Sequence, residues 1–354
     1  MKKRVLLFFF AILPIATSAS PASAQSVTFK MLKTPDAPWF NYSLSANGKV
    51  MAANLGGEIY RWTAKTGFVD LGPSDPLNTS IGISGDGSTI TTTIIGQDGN
   101  TNAGVWREAT GWISLGHIKH GCVMDQNWGS GYSVNGDGSM IVGLAWYCPG
   151  AQGFVWTWEK GMLPLSHPAH AGSRATAVSN NSSTIVGFFE HPTQGFRRPV
   201  FWRNGKKSLF AGRNTPGEAT AVSSDGSVIV GQAADASGYP RTFYYTDTNG
   251  LVSLGTISGN DTDQSIANGV SDQGIVIGWS GDPFWGGITP FFWDARTPST
   301  PMVSLQDALT ARGAKIPKNV ILTNALTISA DGSTIVGTWM DSNFNQGTWM
   351  ARFK

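Results

Sequence analysis

"LTISADGSTIVGTW", residues 326–339, is the stretch on which the fold turns. Nearly the same words occur as "VSSDGSVIVGQ" from Val222, "VNGDGSMIVGL" from Val134 and "ISGDGSTITTT" from Ile83. Aligning on the turn phrase gives seven copies, starting at Ser45, Ser84, Asn135, Ser179, Ser223, Ser271 and Ser329, spaced 39 to 58 residues apart. That is the spacing of propeller blades rather than of hexapeptide helices. An Asp-Gly pair between two apolar runs predicts a tight hairpin, with Gly free to take positive φ and Asp bonding nearby amides. Asp86, Asp137, Asp225 and Asp331 share one slot, where Asn47, Asn181 and Gln273 stand in other copies. A turn tolerates that exchange. A calcium site would need several adjacent carboxylates per turn, and no copy offers them.

Two further phrases complete each unit. An aromatic strand ends at Trp62, Trp106, Trp156, Trp202, Tyr245, Trp293 and Trp349, and an apolar strand with Leu follows it six times, from "FVDLG" to "MVSLQ". Each unit therefore reads as four antiparallel strands, one propeller blade. The chain ends on the seventh Trp strand, and the missing seventh partner stands at the other end as "SVTFKML", residues 26–32. The expectation is an all-β, seven-bladed β-propeller of four-stranded blades, a single domain over 25–354. Pairing of the N-terminal strand with the C-terminal blade would close it and leave no open edge. One helix is expected, in "SLQDALTARGA" at 304–314, with Leu305, Ala308, Leu309 and Arg312 at helical spacing and Gly313 as its stop. Gly143, Gly187, Gly231, Gly278 and Gly337, on the second strand, mark close approach of backbones.

Residues 1–24 read as a secretory signal. Lys2, Lys3 and Arg4 precede the short apolar run "VLLFFFAILPIA", and "ASA" at 22–24 supplies small residues for cleavage. The protein is thus expected to be exported, to the periplasm or beyond, with no membrane span after cleavage. Of 25 basic and 23 acidic residues, three basic ones belong to the leader, so the remainder carries 22 against 23. A nucleic-acid partner, which needs a positive surface, is not expected.

The phrase "A-x-x-I-S-x-D-G-S-x-I-V-G", the aromatic-Trp strand and the "G-x-x-x-L-G" strand resemble the HAF-type extracellular repeat proteins. The segment "LQDALTARGAKIPKNVILTNALTISADGSTIVG" is similar to the last repeat of that group, and the resemblance runs over the whole chain after the leader. The tripeptide that names the family is absent; "GFVW", "PVFW", "TFYY" and "PFFW" stand instead. The turn phrase also resembles that of periplasmic WD40-like propellers. Such kinship implies an exported repeat protein and brings no catalytic residues with it.

A site must come from loops that differ between copies. The connections after the second and fourth strands are long and irregular, as in "HIKHGCVMDQNWGSG" and "WSGDPFWGGITP". Variable loops on a rigid scaffold are where binding residues collect. All five histidines fall there: His117 and His120, His167 and His170, and His191 beside Glu190. With Asp125, Arg174, Arg197 and Arg198 they would form a polar sector for a metal ion or for proton transfer on an acidic sugar. No other cofactor is expected. Trp128, Trp146, Trp279, Trp285 and Trp339, with Trp39, lie outside the blade pattern on the same face, near Asp98, Asp282 and Asp341. They offer flat apolar surfaces to sugar rings or peptide segments. Cys122 and Cys148 flank Asn135 by 13 residues on either side, so a hairpin would return them to one edge as a disulfide.

No G-x-S-x-G, H-E-x-x-H, P-loop or C-x-x-C motif occurs. Three readings stand. The first is a monomeric exported propeller binding an extracellular or envelope glycan or protein on its loop-rich face. The second is a polysaccharide lyase or hydrolase using the His sector, and the third is a protein-interaction scaffold of the envelope.

Overall fold

The computed structural model describes residues 26–35, 37, 40–78, 80–96, 99–118, 128–147, 150–165, 171–210, 215–284 and 287–354. Seven four-stranded antiparallel sheets follow one another around a ring. Blade 4 is typical: Ser173–Val178 innermost, then Thr184–Glu190, Arg197–Arg203 and, at the rim, Lys206–Leu209. The seventh sheet is built from both chain ends. Val27–Leu32 lies outside Gln346–Phe353 in unbroken register, Val27 opposite Phe353 and Leu32 opposite Thr348. Phe29 stacks on Trp349, ring centroids 6.1 Å apart. The closure expected from the count of Leu strands is the one observed. The helix Leu305–Ala311 forms as expected, capped by the Ser304 hydroxyl on Asp307 N–H and ended by Gly313 at φ +88°. It buries Leu305, Ala308 and Leu309.

The repeated turn phrase proves to be structural. Each Asp of the slot accepts from the amide two residues on, Ser88, Ser139, Ser227 and Ser333, all at 2.9 Å. Asn47 and Asn181 do the same for Lys49 and Ser183 at 3.0 Å, which is why Asn substitutes freely. The turns also join hands around the channel. Ala46 N–H donates to Gly85 O, Asp86 to Gly136, Gly136 to Asn180, Asn181 to Ser224, Asp272 to Ala330 and Asp331 back to Ala46. The remaining junction is closed by Ser224 N–H on Asp272 Oδ1 at 2.8 Å. Seven junctions thus carry a closed belt of hydrogen bonds. Arg61, Arg107, Arg203 and Arg352 add a second tie, each donating to the turn-Gly carbonyl of the next blade, Gly87, Gly138, Gly226 and Gly48.

The glycine of "IVG" has an equally local cause. In blades 3 to 7 the innermost strand carries a bulge, which leaves Tyr132, Thr176, Thr220, Asn268 and Leu326 out of register. The bulge drives a carbonyl, that of Ser130, Arg174, Glu218, Ile266 or Asn324, onto the spot where a Cβ of Gly143, Gly187, Gly231, Gly278 or Gly337 would sit. Blades 1 and 2, with Ala53 and Thr92 at that slot, show no such shift in their first pair. One residue type on the second strand therefore reports the shape of the first. The Trp of the third strand packs between blades: Trp202 with Val142 of blade 3, Trp349 with Phe292 of blade 6.

Candidate functional site

The central channel is a funnel. At the turn end it narrows to a space of about 150 Å³ closed by one apolar residue per blade, among them Leu44, Val134, Val178 and Ile328. At the other end, among the irregular loops, it opens into a cavity of about 610 Å³. The bulges make this wide end. The residue three before each turn Ser or Asn lines the cavity in every blade: Tyr42, Ile81, Tyr132, Thr176, Thr220, Asn268 and Leu326.

An ion pair sits in its wall between blades 4 and 5. Arg174 Nη2 lies 2.5 Å from Glu218 Oε1, which also accepts from Thr176 Oγ1 at 2.6 Å. Arg197 approaches the other carboxylate oxygen at 3.8 Å. The Arg174 guanidinium lies over the rings of Tyr132 and Phe188, 4.8 and 5.0 Å from their centroids, and donates to Tyr132 Oη at 3.4 Å. Burial works against its charge, but Glu218 beside it prevails and holds the pKa above the ordinary guanidinium value. Three other side chains of this slot, two of them on bulges, reach outward to seal blade junctions. Thr220 Oγ1 donates to Ala267 O at 2.6 Å, Asn268 Nδ2 to Ala325 O at 2.8 Å, and Tyr42 Oη bonds Thr348 Oγ1 across the closure.

The expected polar sector is divided by the fold. Arg174 and Arg197 meet at Glu218, whereas Arg198 turns to the other side of its blade, over the Phe189 ring that Lys207 also caps. His191 folds onto its own loop: its Nδ1 accepts from Thr193 and Gln194 N–H at 3.4 and 3.2 Å, and its ring leans on Phe196. Glu190 Oε2 accepts from Gly172 N–H at 3.3 Å. His117 is half-buried between the buried Leu115 and Ile118. His120, Asp125, His167, His170 and Trp285 lie outside the described residues, as do Cys122 and Cys148, Trp39, Asp98 and the leader. Among the described residues no three His, Cys, Asp or Glu side chains come together as metal ligands.

The tryptophans divide too. Trp339 packs flat against Gly347, where a Cβ would come within 2.9 Å of its ring, and donates to Thr348 O. Trp279 is half-buried opposite Pro290. Trp128 and Trp146 are exposed at the lip of blade 3, joined by Trp146 N–H on Trp128 O, and Trp128 Nε1 donates to Asn100 Oδ1 at 3.1 Å. Among the described residues, and Trp158 apart, the exposed apolar side chains away from the outer strands fall on this same face: Leu77 at 95 % exposure, Phe284 and Phe344 at 78 %, Ile321, Ile95, Trp146 and Trp128. Asp282 and Asp341 accept backbone N–H bonds beneath the two Phe tips, and Phe344 takes φ +63°. The turn face shows Trp158 alone among the described residues.

Sequence reasoning missed Glu218, Leu77 and the cavity-lining residues three before each turn. A signal was there: three before the turn Ser, an otherwise constant phrase reads Tyr, Ile, Tyr, Thr, Thr, Asn and Leu in successive copies. A variable slot in a fixed phrase is a position where the repeat does not dictate one residue type.

No family model matches the chain, and no curated protein does. Solved structures do. The β-propeller domain of the Trilobed protease from Pyrococcus furiosus is similar at TM-score 0.59 and 12 % identity, over 89 % of this chain and 97 % of that one. It is described as having an open velcro topology, where the present ring is closed by its N-terminal strand. Prolyl endopeptidase is similar at 0.56 and 9 % identity over 93 % of this chain, which spans half of that protein. A putative TolB from Agrobacterium tumefaciens follows at 0.46 and 14 %, over 65 % of this chain and 88 % of its own. At these identities the likeness is one of fold.

Proposed function

We propose that the chain is an exported binding module that takes a glycan or protein ligand at its loop-rich face, over the wide mouth of the channel. The observation that carries this is the asymmetry of the two faces. One is a belt of bonded turns with a single exposed large apolar side chain among the described residues, whereas the other carries seven, of which Leu77 lines the polar cavity. Exposed apolar side chains gathered on one face of a protein mark contact with a partner. Glu218, bonded to the cavity-lining Arg174 and Thr176, is held in a way that suits a wall better than an acid or base.

The test is calorimetry against neutral and acidic oligosaccharides and against immobilised secreted and envelope proteins. Leu77→Ser combined with Trp146→Ser should abolish the binding found, and Trp158→Ser on the turn face should leave it intact. Loss through Trp158→Ser with the loop-face variant unaffected would place the ligand on the wrong side.

A further inference from the structure

We infer that the ligand of the channel mouth is a neutral saccharide, the cavity receiving an uncharged, hydroxyl-bearing chain end. This rests on the binding reading above and gives it a chemical class.

The first argument is charge. Among the described residues, the only ionised side chain lining the wide cavity is Arg174, and Glu218 at 2.5 Å cancels it. An anionic ligand at Arg174 would compete with Glu218, a carboxylate 7 % exposed that already holds the guanidinium and repels a second negative charge. A cationic ligand would meet a site without net negative charge. The wall is neutral.

The second argument is hydrogen-bond capacity. Thr176 spends its hydroxyl proton on Glu218 and Thr220 spends its own on Ala267 O; both Nδ2 bonds of Asn268 go to blade 7, to Asn324 Oδ1 and Ala325 O. These bonds point into blade junctions, so what remains for the cavity at these three side chains is oxygen lone pairs. A carboxylate or sulfate only accepts, and against such oxygens it gains nothing. A sugar hydroxyl donates to them and accepts elsewhere.

The third argument is size and surface. About 610 Å³ lies within the range of ligand pockets, on the order of 300–1,000 Å³. At the lip, Trp128 stands two residues before Ser130, whose Oγ is bonded by the cavity residue Asn78. Its indole N–H is tied to Asn100, leaving a flat apolar ring at the entrance where the carbon faces of a sugar can stack.

The experiment is isothermal titration of the full propeller with maltohexaose and cellohexaose as neutral probes. Hexagalacturonate serves as the acidic probe and glucosamine hexamer as the cationic one. At least one neutral probe should bind, and both charged ones more weakly. Thr220→Val, which removes an acceptor from the cavity, should weaken neutral binding about fivefold, the equivalent of one lost hydrogen bond. Thr220→Ser should bind as wild type, and a native far-UV spectrum of Thr220→Val at the titration temperature, despite its lost Ala267 bond, separates ligand loss from misfolding. Tighter binding of either charged probe overturns the inference, as does neutral binding that Thr220→Val leaves untouched. If the neutral probes fail while a protein ligand binds and is lost in Leu77→Ser, the saccharide falls and the loop-face reading stands. Binding of any probe that ignores the loop-face substitutions takes down both.

Discussion

Replacing Glu218 with Ala removes one side of the ion pair that shapes the channel wall. Breaking a buried pair from one side costs about 3–5 kcal/mol, because the remaining charge loses its partner without regaining water. Arg174 is not fully cut off: a fifth of its side chain is exposed, and it keeps the Tyr132 hydroxyl and the faces of Tyr132 and Phe188. Those contacts discount the loss to about 2–3 kcal/mol for Glu218→Ala. Glu218→Gln keeps the shape and the Thr176 bond and should cost about 1–2 kcal/mol. Roughly 2 °C of melting temperature per kcal/mol is expected for a domain this large, so the Ala variant should melt about 4–6 °C lower. Urea unfolding of the single variants, of Arg174→Met and of the Arg174→Met/Glu218→Leu double gives the coupling directly. The double should be less destabilised than the sum of the singles, since apolar replacement of a buried pair is often close to neutral. A Glu218→Ala variant within about 0.5 kcal/mol of wild type would refute the pair's role.

Three further outcomes follow from the architecture. Gly138→Ala forces a Cβ at φ +73° to within 2.8 Å of the buried Thr89 Cβ and should cost about 2–4 kcal/mol. Gly161→Ala, at φ +66° in open space, should cost only about 1 kcal/mol, and equal losses would deny the inter-blade contact. Phe29→Ala removes a half-buried ring stacked on Trp349 and should cost about 2 kcal/mol in urea unfolding, whereas a strand that closes nothing would lose almost none. Stability should fall in acid. Bonds from Ser139 and Ser227 hold Asp137 and Asp225 below the ordinary carboxylate range, and at Asp86 and Asp331 burial opposes the shift but the Ser bonds and a nearby Arg outweigh it. A lowered folded-state pKa gives stability that is present above pH ~4 and lost as pH falls through the folded values. Changing all four to Asn, as blades 1 and 4 already have it, should flatten the decline between pH 5 and 2 in urea titrations, and an unchanged slope would count against the turn bonds.

The fold was legible because its causes are local and repeated. The Asp-Gly turn, the "IVG" glycine and the Trp strand each answer a steric or hydrogen-bonding need that recurs in the blade, so each left a word in the sequence. The closure was legible as a shortage, six Leu strands for seven Trp strands. The site was only partly so. The alignment of loops put Arg174, Arg197, Trp128 and Trp146 on one face, and the structure brings the two Arg to Glu218 and the two Trp to the lip of blade 3. It could not show that Arg198 and Trp339 point into packing, nor that His191 bonds its own loop, because side-chain direction depends on register at strand ends. Glu218 escaped notice because it stands inside a strand, where only its neighbour in the next blade gives it a role.

The central claim, that the loop-rich face and not the turn belt takes the ligand, is tested most directly by hydrogen exchange with and without saturating neutral oligosaccharide. Added protection should appear in residues 77–81, 128–134 and 174–178, with the turns at 45–49, 223–227 and 329–333 unchanged. Protection confined to those turns, with the channel mouth exchanging as before, would contradict it.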